Sequence, residues 1–171
     1  HFITTRVAPV AGNERLHGLD IASQPANLAA LLYSRDTDLP AMSASFQLVQ
    51  RIGKFGPADG VIIRLPVFTP GPPPASVAER RARFAGSLAA SFRVSTLISS
   101  ALPEETRAQL DVRVTDVTGR GQGTKELFRS SASRPLAMDV PDSLRFHAER
   151  DIVYGGRTWR MVMDGTPSSL D

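Results

Sequence analysis

The 171-residue chain has no cysteine, a single tryptophan, two tyrosines and no extended apolar run. Without cysteine there can be neither a disulfide framework nor a thiolate metal site. No stretch approaches the roughly 18 consecutive apolar residues of a membrane-crossing helix, and no basic start followed by an apolar segment marks a secretory signal. Charge of one sign is also missing, since 20 basic side chains stand against 17 acidic ones for a net +3. Arg80, Arg81 and Arg83 form the one basic cluster. No aromatic platform follows it, so the footprint of nucleic-acid binding is absent. What remains is an ordinary globular composition, 42% hydrophobic and 22% charged, which argues against disorder. A chain of this length buries about 70% of its unfolded surface, enough for one compact domain or two small ones.

Local patterns divide the chain into short elements. Phe2 to Val10 is rich in β-branched and aromatic residues and closes on Gly12-Asn13, the pattern of a strand entering a turn. Ser23 and Pro25 signal a helix start, and Leu28, Leu31 and Leu32 recur at helical spacing, which predicts a helix over 25–35. Two short strands are expected within 41–50, and Val61 to Phe68 is the strongest strand signal. The proline-rich Thr69–Pro74 stretch ends that strand, because proline offers no ladder donor. Ser76 and Glu79 form a capping box for a helix over 77–82. A strand over 84–94, a helix over 95–102 and a turn of helix over 104–109 follow. Strands near 110–117, 126–129, 143–150 and 158–164 then make a meander. The order predicts an α/β, more narrowly α+β, chain with mainly antiparallel sheets.

Few residues form a constellation for chemistry. Gly119-x-Gly121-x-Gly123-Thr124-Lys125 has neither the spacing nor the following helix of a phosphate-binding loop, and is expected to be a hairpin connection. His1, His17 and His147 stand far apart without a third ligand, so no metal site is predicted. No Gly-x-Ser-x-Gly elbow exposes a nucleophile, and Glu104 and Glu105 suit a helix start. No catalytic residue and no cofactor is assigned. Strand alternation puts Val61, Ile63, Leu65 and Val67 on one face and Ile62, Arg64, Pro66 and Phe68 on the other. Arg64 thus sits inside an apolar strand, where a guanidinium must find water, a carboxylate or a ligand. Small residues mark the strand over 84–94, a pattern that admits either a close helix or a small molecule. Alternation also aims Trp159, with Met161 and Met163, into the core of the C-terminal half.

Four phrases carry a family resemblance. They are Val7-Ala8-Pro9-Val10-Ala11-Gly12-Asn13-Glu14 with Gly18-Leu19-Asp20; Gly60 to Phe68; Ser76 to Ala82 with Gly86 and Phe92 to Leu97; and Gly155-Gly156-Arg157-Thr158-Trp159-Arg160-Met161. In this order they resemble the CHASE domains, extracytoplasmic sensory modules of histidine kinases and nucleotide cyclases, in their bacterial form. They are distantly similar to the plant cytokinin-receptor sensor. The resemblance implies two PAS-like halves, a membrane-distal ligand-binding half over 1–94 and a membrane-proximal half over 95–171. It further implies a stalk helix and membrane anchor before His1, a homodimer through that stalk, a periplasmic location, and a kinase or cyclic-dinucleotide output in the cytoplasm.

Laid against the cytokinin receptors, Asn27 falls where they hold an adenine-binding aspartate and Arg64 where they hold a threonine near the ligand. Ser43 aligns with a pocket threonine and Ala90 with a glycine. With Phe46, Leu48, Leu65 and Phe92 these form the expected ligand-binding set. An amide in place of the acid, and an added arginine, shift the expected ligand from a purine toward an anion or carboxylate. Two other readings stay open. One is a structural dimerisation module in which Leu48, Leu65, Leu88 and Phe92 fill the space beneath the first helix; the other is a small hydrolase.

Overall fold

The computed structural model describes residues 1–49, 59–119, 124–130 and 145–165. Its chain is α+β with antiparallel sheets, and it divides into two compact units, His1–Arg93 and Val94–Asp171.

In the first unit the N-terminal segment forms a single bridge, Ile3 with Asp20, rather than the strand its β-branched residues suggest. Its backbone bonds run instead to the chain just beyond, from Thr4 N–H to Leu19 and from Ile21 N–H to Phe2. Asp20 fixes the return, accepting from the backbone N–H groups of Phe2 and Ala22. Ser23 does not cap the helix; its hydroxyl donates to the Asp20 carbonyl, inside a 3-10 turn over Ile21–Ser23.

Helix α1 (Pro25–Thr37) starts on proline, whose missing N–H costs nothing there, and stops at Asp38 in the left-handed conformation at φ 58°. It buries Asn27, Ala30, Leu31 and Ser34. Strands β1 (Ala41–Met42) and β2 (Phe46–Gln47) pair side by side along one edge of β3 (Asp59–Phe68). After the proline-rich loop, α2 (Val77–Arg83) is capped by Ser76, whose oxygen accepts from the Glu79 N–H. Strand β4 (Phe84–Arg93) then pairs with the other edge of β3 without interruption from Gly60↔Arg93 to Val67↔Gly86. Leu48 lies over Gly60, where a Cβ would collide with its side chain.

The basic cluster on α2 is spent on structure. Arg80 Nε donates to the Asp36 carbonyl, and Arg83 donates to the Thr69 and Pro72 carbonyls. Arg81 forks onto the Asp36 carboxylate, which also accepts from Arg35. The guanidinium groups of Arg81 and Arg35 hold the Asp36 carboxyl far below the usual carboxylate range.

The second unit opens with α3 (Val94–Ala101) and α4 (Glu104–Gln109), followed by a sheet in the order β6-β5-β8-β7. These strands are β5 (Asp111–Asp116), β6 (Lys125–Arg129), β7 (Phe146–Tyr154) and β8 (Arg157–Gly165). Strand β7 runs further toward the C-terminus than its pattern suggests. Its hairpin to β8 needs only Gly155 and Gly156, both at positive φ, as two-residue hairpin turns require. Of the glycine-rich connection, residues 120–123 lie outside the described residues, as do 131–144.

Val112, Val114 and Trp159 form the buried face of this sheet, at 0%, 2% and 6% exposure. Asp116, opposite Trp159, is buried with them but paired, accepting from Arg157 Nε at 2.8 Å. Among the described residues the sealed Trp159 Nε1 donor meets no hydrogen-bond partner.

Two outcomes follow. Trp159→Ala should cost about 3–5 kcal/mol, the range for large aromatic truncations. Trp159→Phe should cost far less, because it also removes an unsatisfied N–H; urea denaturation followed by circular dichroism separates the two, and equal losses would contradict this packing. In the first unit, a carboxyl with a depressed native pKa stabilises above its unfolded value near 4, and that stabilisation is lost as pH falls. Thermal melts should therefore show an acid-labile component below about pH 4 that Asp36→Asn removes. An unchanged pH profile in that variant would show that the arginine pair contributes nothing.

Candidate functional site

The site is built on the face of β3 that α1 covers. Directly opposed residues of antiparallel strands share a face, so the registers assign each side chain. Gly60, Ile62 and Arg64 of β3 share this face with Ala41 of β1, Phe46 of β2, and Ser87, Ala89, Ser91 and Arg93 of β4. Val61, Ile63, Leu65 and Val67 lie on the other face with Gly86, Leu88, Ala90 and Phe92.

Arg64 is 5% exposed. Its Nε donates to Asn27 Oδ1 at 2.7 Å, and its Nη1 donates to Ser87 Oγ at 3.3 Å. Asn27, itself 1% exposed, is held in place by a bond from its Nδ2 to Gln24 Oε1 at 2.7 Å. Ser43, also buried, accepts from the Ile62 N–H at 2.9 Å and returns its own N–H to the Ile62 carbonyl. It therefore replaces a ladder contact and fixes the irregular chain between β1 and β2.

Electrostatically the cluster is unusual. Both partners of Arg64 are neutral, and among the described residues no carboxylate lies within ion-pair distance of it. Burial pushes its pKa down to about 10, the direction expected when a cation loses water without gaining an anion. Guanidinium has five N–H donors, and two are engaged here. Among the described residues, the sealed donors without partners are Arg113 Nε and Trp159 Nε1, and the hydrogen bonds of Arg64 use Nε and Nη1 but not Nη2. Toward β4 the floor is made of small side chains, with Ser87 half-buried and Ala89 and Ser91 exposed.

The structure divides the expected ligand-binding set. Asn27, Ser43, Leu48 and Arg64 are buried on the helix side, with Phe46 half-buried at its margin. Leu65, 45% exposed, Ala90 and Phe92 lie on the opposite face, so they cannot line one pocket with the guanidinium. A solvent-facing Arg64 is likewise overturned: the apolar strand turns it inward, under α1. Leu48, Leu65, Leu88 and Phe92 do not together close the space beneath α1, because Leu65, Leu88 and Phe92 lie on the face away from it. Two contributors escaped the sequence. Ser87 reaches Arg64 only through the β3–β4 register, which no local pattern encodes. Gln24 stands three residues before Asn27, a spacing that predicts an interaction only once the helix start is known.

Histidines take no part in this cluster. His1 pairs with Asp20, and His147 pairs with Asp164 rather than with its sequence neighbour Glu149. Among the described residues, no three potential ligands gather for a metal ion. A cavity of about 480 Å³ lies in the second unit, beside Arg113, His147 and Asp164.

The chain belongs to the CHASE domain family, whose model matches residues 1–127, and CHASE domains are sensory extracellular domains of receptors. No curated protein matches the chain. No helix among the described residues is long and apolar enough to cross a membrane.

The pairing of Arg64 with Asn27 can be measured as a coupling. Asn27→Leu strands a buried guanidinium and should cost about 1–3 kcal/mol or more. The double variant Asn27→Leu/Arg64→Met removes both partners and should recover much of that loss. Additivity of the single changes to within about 0.5 kcal/mol in chemical denaturation would show that the bond has no energetic weight.

Proposed function

We propose that this CHASE domain is the extracytoplasmic ligand-binding portion of a bacterial inner-membrane receptor, and that it reads a small anion, a carboxylate in the first instance, at Arg64. One observation carries the reading. A cation taken out of water without an anion is costly, and proteins rarely bury an arginine unless it is paired. Among the described residues Arg64 has only neutral partners, and its Nη2 makes no hydrogen bond to any of them. Its planar donor fork matches a carboxylate in geometry as well as charge.

In this reading Asn27 and Ser87 orient the guanidinium, and the small side chains Ala89 and Ser91 leave room for the ligand. Ser43 holds the strand crossing that supports the floor. The His1–Arg93 unit is then the membrane-distal, PAS-like sensing half, and the Val94–Asp171 unit the PAS-like half nearer the membrane. Ligand binding alters the output by favouring one of two arrangements of a homodimer joined through a stalk helix, since only differential affinity can shift an equilibrium.

A thermal-shift screen of carboxylates against purines tests the proposal. A carboxylate at a hundredfold its dissociation constant stabilises by about 2.7 kcal/mol and should raise the melting temperature of the native chain. Arg64→Ala should abolish the shift while the circular dichroism spectrum keeps its native form. A purine response, or a carboxylate response that survives in Arg64→Ala, would refute the assignment.

A further inference from the structure

Among the described residues, strand β4 is open along its outer edge and over much of both faces. Among the described residues its only strand neighbour is β3, and its outer edge has none. Leu88, Ala89, Ala90 and Ser91 are all exposed, and these four successive residues point alternately to both sides of the sheet. On the face away from α1, Leu65, Val67 and Leu88 form an apolar strip at 45%, 39% and 64% exposure.

Edge strands of monomeric proteins carry protection: short length, lysine, proline, an inward charge or a bulge. Between Phe84 and Phe92, β4 has no charged residue and no proline. The one register shift in its pairing falls at the very start, between Val67 and Phe68 of β3.

We infer that this edge pairs with β4 of a second copy of the chain, antiparallel about a two-fold axis through Ala89. The sequence of the strand is self-complementary in that register. Ala89 faces its own copy, Leu88 faces Ala90, Ser87 faces Ser91, and Gly86 faces Phe92. Each opposed pair belongs to the same face, as antiparallel pairing demands, so both apolar strips meet on one side of a joined sheet and both hydroxyl rows on the other. The Ser87–Ser91 pairs offer cross-strand hydroxyl contacts, and the Phe92 ring covers the bare Gly86, an arrangement used to protect edge glycines.

Charge disfavours the neighbouring register centred on Leu88. With Leu88 on the axis, Arg83 would stand opposite Arg93, and like charges directly opposed are destabilising. With Ala89 on the axis, Arg93 faces Ala85 and no like charges oppose one another. The pairing does not depend on what Arg64 binds. It does bring the second copy's Ser91 beside Ser87, the hydroxyl that receives Arg64 Nη1.

Because the chain has no cysteine, single cysteines report this geometry cleanly. Directly opposed Cα atoms in antiparallel strands are about 4.5–5.5 Å apart, within disulfide reach. Ala89→Cys should therefore cross-link to a covalent dimer under mild oxidation about tenfold faster or more than Leu88→Cys or Ala85→Cys, through the effective concentration that pairing provides. Both Ala89 and Leu88 are exposed, so these variants keep the fold, as circular dichroism can verify. In sedimentation equilibrium the native chain should dimerise, and Ala89→Lys, which sets two like charges on the axis, should be monomeric. A native chain that stays monomeric throughout, cross-linking of Leu88→Cys as fast as that of Ala89→Cys, or a dimer that survives Ala89→Lys would each overturn the pairing.

Discussion

The bond from Arg64 Nε to Asn27 Oδ1 is the contact on which the N-terminal unit depends. It joins the middle of β3 to the buried side of α1 across 37 residues of sequence, and among the described residues it is the one place where the interior of this unit is charged. Apolar packing is indifferent to small shifts of a helix over a sheet, whereas a buried donor must find its acceptor at hydrogen-bond distance. Ala41, Ser43, Leu48 and Ile62 on the sheet side and Ala30, Leu31 and Ser34 on the helix side are arranged around that constraint. At the far end of α1, the ties of Arg80 and Arg81 to Asp36 hold α2, and with it the entry into β4, against the same helix.

The two units treat buried charge in opposite ways. In the C-terminal unit Asp116 is buried with Arg157 and the pair satisfies itself. In the N-terminal unit the guanidinium receives an amide oxygen and a hydroxyl, which orient it without neutralising it. An ion pair completed within the protein has no further use for an anion; a cation held in place and left unneutralised does. In the proposed reading an arriving anion would offset the cost of keeping it buried, which would couple affinity and conformational preference at one side chain.

Much of the fold was legible in the sequence because its signals are local. Pro25 with the Leu28, Leu31 and Leu32 spacing predicts α1, Ser76 and Glu79 predict α2, and the Gly155-Gly156 pair predicts the last hairpin. The β-branched residues of the N-terminal segment suit a strand, but their partner is a turn held by Asp20 that leaves only one bridge. At the site, alternation singled out Arg64 but could not say which face meets the helix. That is decided by the register of β3 against β4, and the same register separates Leu65, Ala90 and Phe92 from the cluster and admits Ser87.

The central claim is that Arg64 is a buried cation awaiting an anion, and arginine side-chain NMR measures this at the group itself. In the free protein the Nε–H of Arg64 should exchange with water far more slowly than that of an exposed arginine such as Arg150. Addition of a stabilising carboxylate should slow the Nη protons and shift their resonances, while those of Arg157, already paired with Asp116, stay in place. An Arg64 Nε–H that exchanges as fast as an exposed arginine's, or guanidinium resonances that ignore every anion that stabilises the fold, would contradict the account.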